Sequence, residues 1–463
     1  MLSSYLHIGY ISLVVLTVAF FLWRRRFDAL FVGAMATIIY FLPALFGSIQ
    51  FPYGADAGFY MSPIVPGAYV AMLVVVATLS VVTVVHDRLA LRALGRATVP
   101  DRWVPEILCA VMMVSCVASI ATIGKGYLCV EKTDMLARIN YWYYVASYSA
   151  PLALVTAMAA RKWWIVALAS AMLMGDLFIG FRGASAVAFL GVCLLYGRAL
   201  FGGWRKRIAF IVAVGVVACA LFVVKQLAWN IKYTVSVACS ALPVTARAAV
   251  GGEVSTAQKA AVETALAASP TEIHLDHLAH TAKMLGEGNV YLDALRYSEP
   301  MVIGAILNET ARRGFTIPMR DVVDQALLGV PGGKSLFQID VSSVPLFSAR
   351  FRPVLFPHVT FGMASNPWAQ AYAAGGLALV FVFALVYASC LAVFAAAMGA
   401  LPPVSGALVA VAVGWWGFYV HRNDVLTEVG IMKMTIYIAA LAVLISFVVS
   451  GAAKIWQIRL GHR

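Results

Sequence analysis

The sequence predicts an all-α polytopic membrane protein with about eleven transmembrane helices. Of its 463 residues, 62% are hydrophobic and only 12% are charged, a balance that soluble globular domains do not reach. Apolar runs of about 17 to 25 residues recur along the chain, and each is long enough to cross a hydrocarbon core as a helix. These runs are apolar on nearly every face, whereas the strands of a membrane barrel alternate apolar and polar residues, so a β-barrel is excluded.

The predicted spans divide the chain into two transmembrane bundles and one large loop. Eight spans fall within residues 1–224, a hydrophilic loop occupies 225–370, and three spans with a C-terminal tail occupy 371–463. The first span has no small-residue cleavage site before its basic flank, so it is interpreted as a retained helix and not as a signal peptide. The spans are 5–22, 30–48, 64–85, 104–123, 139–160, 163–180, 184–200, 208–224, 372–396, 404–420 and 431–449.

Basic residues cluster after every second span, and this predicts the orientation of the chain. Lysine and arginine in short loops stay cytoplasmic, so the N-terminus and the loop at 225–370 are expected on the periplasmic side of a bacterial inner membrane, with the C-terminus in the cytoplasm. This topology accounts for the net charge of +13, and no nucleic-acid partner is expected. The clusters are Arg24, Arg25 and Arg26; Arg88, Arg92, Arg96 and Arg102; Arg161 and Lys162; Arg198, Arg205, Lys206 and Arg207; and Lys454, Arg459 and Arg463.

The large loop is predicted to be mostly helical. Helices are expected at 255–268, at 270–285 with Ser269 as the N-cap, and at 301–312. Prolines and glycines break the remainder into loops and short helical turns, so a separate strand-rich domain is not expected. A loop of this length beside a membrane bundle is typical of a functional segment. The breaking residues are Pro318, Pro331, Gly332, Gly333, Pro345, Pro353 and Pro357.

The seven cysteines do not have the spacing of a zinc site or of a redox motif. Cys129 and Cys239 fall in segments that are predicted to face the periplasm. They either form a disulfide in that oxidising compartment or remain unpaired, and the sequence leaves both alternatives open because it does not give their separation.

A short segment between the sixth and seventh spans places two ionisable residues at membrane level. It reads Gly-Asp-Leu-Phe-Ile-Gly-Phe-Arg-Gly and contains Asp176 and Arg182. An ionisable side chain at this depth is costly unless it is paired or lines a watery cavity, which makes both residues functional candidates. Two structural alternatives remain open: Arg182 extends to the outer interface, and Asp176 forms an ion pair with a cationic neighbour.

A second cluster lies at the outer end of the tenth span. His421, Arg422, Asn423 and Asp424 follow an aromatic stretch, Trp-Trp-Gly-Phe-Tyr, that suits a membrane interface, and Glu428 comes shortly after. Arginines of two clusters on one membrane face suit bidentate capture of phosphate oxygens. The alternative is an ordinary short loop in which Asn423 or Asp424 caps the following helix.

A third cluster closes the large loop just before the ninth span. It contains Arg350, Arg352 and His358, and the Ser-Asn-Pro-Trp segment that follows includes Asn366. Basic and hydrogen-bonding groups are therefore expected to converge just above the bilayer. His358 is a candidate general base because histidine titrates near neutral pH, and the alternative is an ordinary surface histidine.

Three segments, together with the long loop before the third-last span, resemble the oligosaccharide repeat-unit polymerases, the Wzy-type O-antigen polymerases. The segments are Gly-Phe-Arg-Gly at 180–183, Ser-Asn-Pro-Trp-Ala-Gln-Ala-Tyr-Ala-Ala-Gly-Gly at 365–376 and Phe-Tyr-Val-His-Arg-Asn-Asp at 418–424. The resemblance implies a fold similar to the GT-C class of membrane glycosyltransferases and to the O-antigen ligases. It also implies an enzyme of the periplasmic face that joins oligosaccharide repeat units carried on undecaprenyl diphosphate.

The resemblance also implies roles and partners. The catalytic candidates are His358 and Asp424, one of which would assist the acceptor hydroxyl, and the supporting candidates are Asp176, His421 and Asn366. No cofactor and no metal are expected, and a chain-length-regulating co-polymerase of the Wzz type is an expected partner besides the lipid-linked oligosaccharides and the bilayer. The arginines that would hold the diphosphate are Arg182, Arg350, Arg352 and Arg422.

The chemistry of these residue types agrees with that assignment. Glycosyl transfer from a lipid diphosphate needs charge stabilisation on the leaving diphosphate, which arginines supply without a metal. No carboxylate pair of the DxD type occurs in an outer segment, so a metal-independent reaction is expected. Direct displacement by an acceptor hydroxyl, with a base taking its proton, inverts the anomeric carbon.

Three other functions remain open at this stage. An O-antigen ligase has the same architecture and differs in its acceptor, the lipid A core. A transporter or flippase for the same lipid-linked sugars would use the arginines for binding only, but the chain contains no second copy of either half, as transporters built from repeats do. A non-catalytic scaffold is the last alternative, and charges at membrane level in three places argue against it.

Overall fold

The computed structural model describes residues 2–24, 26–52, 59–89, 101–124, 127, 139–200, 203, 205–210, 212–213, 298–359 and 363–460. Within these ranges the chain is mostly helical, and six helices are long and apolar enough to cross a membrane. Three further apolar helices are shorter. The expectation of a mostly helical membrane protein is confirmed, and the number of eleven spans stays a prediction.

Eight helices build the described part before residue 201, and six of the predicted spans agree with a helix to within a few residues. The eighth predicted span, 208–224, lies mostly outside the described residues. The helices are α1 Leu2–Arg24, α2 Ala29–Tyr40, α3 Pro43–Phe46, α4 Pro66–Leu89, α5 Val104–Ile123, α6 Tyr141–Ala159, α7 Trp163–Ile179 and α8 Gly183–Leu200.

Seven helices occupy the described part after residue 297, and the helix predicted at 301–312 is confirmed as the first of them. The helices predicted at 255–268 and 270–285, with the cap Ser269, lie outside the described residues, as do Cys129 and Cys239. The seven are α9 Glu299–Arg313, α10 Met319–Leu327, α11 Gly333–Leu336, α12 Phe347–Leu355, α13 Pro367–Ala400, α14 Pro403–Val413 and α15 Val425–Leu460, with a short 3₁₀ turn at Val341–Ser343.

The second predicted span, 30–48, is wrong as a single helix. The chain leaves α2 after Tyr40, makes the one-turn helix α3 from Pro43, and then forms a hairpin of β1 Ser48–Pro52 and β2 Phe59–Pro63. Pro43 lacks a backbone N–H and therefore cannot continue the preceding helix. The apolar run continues past this break, and an apolar run by itself does not distinguish a buried helix from a strand.

Hydrogen bonds of buried polar side chains connect this hairpin to α9. Asn308 accepts a hydrogen bond from Val65 N at 2.9 Å and donates to Pro63 O at 3.1 Å. The Tyr60 hydroxyl donates to the carboxylate of Glu309, which is fully buried. Burial and this hydrogen bond raise the pKa of Tyr60 above its ordinary value. The hairpin and the end of the large loop therefore form one packed unit.

The ninth predicted span, 372–396, begins earlier and is broken near its start. Helix α13 runs from Pro367 to Ala400, but Gly375 and Gly376 have non-helical backbone angles, with φ +62° and ψ −153° at Gly376. A side chain at Gly376 would strain the backbone in this conformation, so glycine is required there. The break separates a short helical segment, which carries Trp368, from the long membrane-spanning part.

The helices pack around two hydrophobic clusters. One is centred on α13, which contacts α2, α4, α9 and α14, and the other is centred on α6, which contacts α5, α7, α8 and α14. Apolar side chains remain exposed on outward faces, such as Leu16 in α1 and Phe447 in α15. Exposed apolar surface on this scale is expected where helices face lipid.

Arg24 and Lys162, from two of the basic clusters, lie at one end of the described bundle. Arg24 at the end of α1 binds Asp87 near the end of α4, with 2.8 Å between Nη2 and Oδ1. Lys162, before α7, binds Glu106 at the start of α5. Helix α7 runs away from Lys162, so the turn between α7 and α8 lies at the opposite end. The starts of α13 and α15 lie near this turn, because Trp368 binds His421 and Arg422 shares a carboxylate with Arg182.

Candidate functional site

Two arginines that are far apart in sequence share one carboxylate at this opposite end. Arg182 Nη2 lies 3.0 Å from Glu299 Oε2, and Arg422 Nε lies 3.0 Å from Glu299 Oε1. A second nitrogen of Arg422, Nη1, lies 3.4 Å from Oε2. The arginine side chains are 40% and 23% exposed, so solvent reaches the group. Arg182, Glu299 and Arg422 are named the arginine-pair site below.

The turn between α7 and α8 presents Arg182. Gly180 ends α7 in the left-handed conformation, and Phe181 N donates to Asp176 O at 2.8 Å, which closes the turn. Gly183 then leaves room for an aromatic ring, because a Cβ atom at this position would lie 2.8 Å from the Tyr419 hydroxyl. The Gly-Phe-Arg-Gly segment therefore places its arginine directly beside Tyr419.

An irregular end to the tenth span presents Arg422. Helix α14 changes to a π-helix at Gly414–Phe418 and then to a 3₁₀ turn at Tyr419–Arg422. Such π segments are frequent at functional sites because they redirect side chains out of the α-helical register. Arg422 Nη1 donates to the Tyr419 hydroxyl at 2.9 Å, and its guanidinium carbon lies 4.7 Å from the centroid of that ring. Tyr419 therefore holds the guanidinium in place.

Side chains from two other helices cap the start of α15 shortly after Arg422. Val425 N donates to Gln370 Oε1 at 2.9 Å, and Leu426 N donates to Gln325 Oε1 at 3.2 Å. The two glutamines are themselves joined by a bond of 2.7 Å. The first backbone N–H groups of a helix have no partner within it, and these amides supply the partners. The end of the arginine-bearing segment is thereby fixed to α10 and α13.

Asp424, a predicted catalytic residue, lies within this cap. Its Oδ1 accepts from Thr427 N at 2.9 Å and its Oδ2 accepts from Phe347 N at 3.1 Å, and the residue is 1% exposed. These contacts are those of an N-cap that also holds the start of α12. The structure thus gives Asp424 the capping role that the sequence left open as the alternative.

Substitutions at Asp424 separate the two roles. We expect Asp424→Ala to lower the free energy of unfolding by about 2–3 kcal/mol because two buried N–H groups lose their acceptor. Asp424→Asn keeps an acceptor for Thr427 and is expected to cost less, with activity per folded molecule unchanged. Denaturant unfolding in detergent, combined with activity normalised to folded protein, measures both effects. An Asp424→Asn variant of full stability and no activity would instead indicate a catalytic carboxylate.

Asp176 supports the α7–α8 turn from inside the bundle. It is fully buried, and its carboxylate accepts from Tyr143 OH at 2.9 Å and from Ser147 Oγ at 2.7 Å. Within the described ranges both partners of this carboxylate are neutral hydroxyls of α6, so the ion pair considered from the sequence is not formed there. The hydroxyls offset part of the cost of burying the carboxylate and join α6 to α7.

His421 and Asn366 form buried hydrogen bonds next to the arginine-pair site. His421 is fully buried, and its Nδ1 accepts from Trp368 Nε1 at 2.9 Å, while its Nε2 lies 3.3 Å from the Tyr387 hydroxyl. Asn366 accepts from Trp368 N at 2.9 Å and donates to Ile303 O of α9 at 2.8 Å. Asn366 therefore holds the backbone at the start of α13 to α9, and His421 holds side chains of neighbouring helices next to Arg422.

The remaining predicted residues form a separate group, named the Arg350–His358 cluster. Arg350 Nη2 lies 3.2 Å from Asp321 Oδ2 at the surface. Arg352 Nη2 donates to Val359 O at 3.2 Å, in the turn that carries the exposed His358. Neither arginine contacts the shared carboxylate of the arginine-pair site.

Helix α12, which carries Arg350 and Arg352, contacts two different parts of the molecule. Phe347 at its start binds Asp424, which follows Arg422 closely in the chain. Val354 near its end accepts from Arg313, at the C-terminal end of α9, at 3.2 Å. The structure therefore brings two of the three predicted arginine clusters together, and the arginines of the third bind other partners.

Glu299 and Tyr419 were not singled out by the sequence. Glu299 precedes Pro300 at the start of a helix, where an acidic residue ordinarily stabilises the helix dipole. Tyr419 belongs to the aromatic stretch before His421 and is typical of a membrane interface. One local signal does point to Tyr419: a glycine follows Arg182 directly, and its missing side chain leaves the space that the Tyr419 ring occupies.

Comparisons with known proteins leave the chemistry to be inferred from these residues. No family model, no curated protein and no solved structure matches the chain. Within the described ranges, no group of three or more histidine, cysteine, aspartate and glutamate side chains is arranged to hold a metal ion. The charged groups of the site are two guanidinium groups and one carboxylate, an arrangement that suits an anionic ligand with several oxygen atoms.

Proposed function

We propose that this protein is a membrane glycosyltransferase that joins oligosaccharide repeat units carried on undecaprenyl diphosphate. The growing chain leaves its lipid diphosphate and is transferred to a hydroxyl of the next lipid-linked repeat. The product is an O-antigen or a related surface polysaccharide, made at the periplasmic face of a bacterial inner membrane. The reaction is metal-independent and inverts the anomeric carbon.

The pairing of Arg182 with Arg422 is the observation that carries this proposal. The sequence predicts both arginines as phosphate ligands. Together they bind the two oxygens of one carboxylate, although they lie 240 positions apart in the sequence. A carboxylate and a phosphate present similar pairs of acceptor oxygens to a guanidinium group. A site that binds Glu299 in this way is therefore complementary to one phosphate group of a diphosphate.

The same arrangement supplies the catalysis that the proposed reaction needs. Negative charge builds up on the diphosphate oxygens as the glycosidic bond breaks, and fixed positive groups that contact those oxygens stabilise the transition state. Arg422 is held by Tyr419 before any ligand arrives. Little reorganisation is then required when the charge develops, which makes such a group effective.

The position of the site supports the proposed orientation. Arg24 and Lys162, from two of the basic clusters, bind neighbouring helices at the opposite end of the described bundle, and such clusters stay cytoplasmic. The arginine-pair site is then on the periplasmic side, at the level where α7 and α14 leave the membrane. A lipid diphosphate reaches this level with its polyprenyl tail still in the bilayer.

Reconstitution tests the proposal directly. Purified protein in nanodiscs is supplied with undecaprenyl-diphosphate repeat units in the presence of EDTA, and the glycan products are separated on a gel. We expect a ladder of increasing length, because each transfer adds one repeat to the chain. Addition of glycan only after lipid A core is supplied would make the protein a ligase. Binding without any transfer to either acceptor would favour a transporter.

A further inference from the structure

Glu299 occupies the place where the proposed reaction requires a phosphate group. Its two carboxylate oxygens take the guanidinium nitrogens of Arg182 and Arg422, and its side chain is 20% exposed. It reaches this place as the first residue of α9, after Ser298, whose buried hydroxyl has no hydrogen-bond partner within the described ranges. An anion of the protein itself therefore occupies this place in the structure.

A diphosphate and the carboxylate compete for the two arginines. Two anions within about 4 Å repel each other, and Glu299 already contacts guanidinium nitrogens of both arginines. A diphosphate that joins a lipid to a sugar carries twice the charge and twice the terminal oxygens of a carboxylate, so as a whole it is the stronger partner for two guanidinium groups. Binding of the diphosphate therefore displaces the carboxylate from its cationic partners.

The displaced carboxylate stays next to the reacting centre. Glu299 is held to the protein by α9, and Asn366 fixes Ile303, one turn further along this helix, with a bond of 2.8 Å. The carboxylate then remains at the site and, without its two arginines, is free to accept a proton. We propose that Glu299 is the general base that takes the proton from the acceptor hydroxyl, an inference that rests on the proposed function.

The resulting step balances without any further reactant. The acceptor oxygen attacks the anomeric carbon, the bond from that carbon to the diphosphate oxygen breaks, and the diphosphate leaves with the electron pair. The hydroxyl proton passes to Glu299 and is later released to water. The negative charge moves from the carboxylate to the diphosphate, where Arg182 and Arg422 contact it.

The residues predicted as bases from the sequence are less well placed for this step. Asp424 is 1% exposed and uses both oxygens to cap backbone N–H groups. His358 follows α12, whose Val354 binds Arg313 at the opposite end of α9 from Glu299. A base must come within hydrogen-bond reach of the proton that it abstracts. Among the described acidic residues, Glu299 is the one that contacts both arginines.

The test compares binding with turnover in Glu299→Gln. The glutamine has the same shape but competes weakly for arginine and is a poor base. We expect Glu299→Gln to bind labelled undecaprenyl diphosphate at least as tightly as the wild type. We expect its rate of chain elongation to be lower than that of the wild type by a factor of about 100 or more. Glu299→Asp retains a carboxylate and is expected to keep part of the turnover. Thermal unfolding in detergent verifies that both variants are folded.

Each other outcome overturns the inference in a distinct way. Turnover of Glu299→Gln within about threefold of the wild type would make Glu299 a simple counter-ion, with the polymerase assignment intact. Loss of undecaprenyl diphosphate binding in folded Glu299→Gln would show that the carboxylate maintains the site and is not displaced. A wild-type protein that binds the probe but makes no ladder would overturn the proposed function itself, and the base role with it.

Discussion

Arg422→Ala is expected to reduce the rate of chain elongation by about 100-fold or more, and Arg182→Ala by a smaller factor. Each substitution removes a guanidinium group that would contact the diphosphate oxygens as negative charge develops on them. The effect is larger for Arg422, because it is positioned by Tyr419 and makes two contacts to the shared carboxylate. Rates of ladder formation in nanodiscs, normalised to folded protein, measure the loss.

A matched control for these variants is Arg350→Ala. Arg350 lies in the same predicted set of diphosphate ligands, but its side chain is 48% exposed and pairs with Asp321 away from the arginine-pair site. We expect this variant to elongate chains at a rate close to that of the wild type. If Arg350→Ala were as inactive as Arg422→Ala, the Arg350–His358 cluster would have to join the site during the reaction. If all three variants were fully active, the proposed phosphate site would be wrong.

His421→Ala is expected to be the most destabilising single substitution near the site, with a loss of about 3–5 kcal/mol in the free energy of unfolding. Truncation leaves a cavity among Tyr40, Trp368 and Tyr387, which surround the imidazole. It also leaves the buried Nε1–H of Trp368 without its acceptor. Denaturant unfolding in detergent, monitored by tryptophan fluorescence, gives the change directly.

His358→Ala is the corresponding control for stability. His358 lies on an exposed turn, and substitution there is expected to change the free energy of unfolding by no more than about 0.5 kcal/mol. An equal loss in both histidine variants would mean that the imidazole of His421 is not packed as the structure has it. Activity of folded His358→Ala additionally tests the base role that the family resemblance implies.

Local sequence patterns were sufficient to predict most helices of the described chain. Six predicted spans in the N-terminal part match helices. The length and apolar composition of a run are enough to predict a membrane-spanning helix, without knowledge of the helices that pack against it. The same reasoning identified Arg182 and Arg422, since an arginine inside or beside an apolar run stands out without knowledge of its partner. The capping alternative for Asp424 was also visible, because a cap depends on the residues directly after it.

Apolar segments in which the backbone changes conformation were harder to predict. The run at 30–48 continues from α2 into a strand, and its composition is equally suited to both. At the start of α13, the glycine pair allowed a break, but only the packed structure fixes Gly376 at a positive φ. Such positions are decided by the neighbouring elements and not by the local sequence.

The sequence by itself determined that this chain is a mostly helical membrane protein, and it predicted four arginines as phosphate ligands, Arg182 and Arg422 among them. Only the tertiary structure decided that these two arginines meet, that Glu299 joins them, and that the Arg350–His358 cluster lies elsewhere. The physical reason is that hydrophobicity and capping act over a few residues along the chain. Contacts between residues more than a hundred positions apart depend on how the helices pack, and ionic pairing across that distance leaves no local pattern.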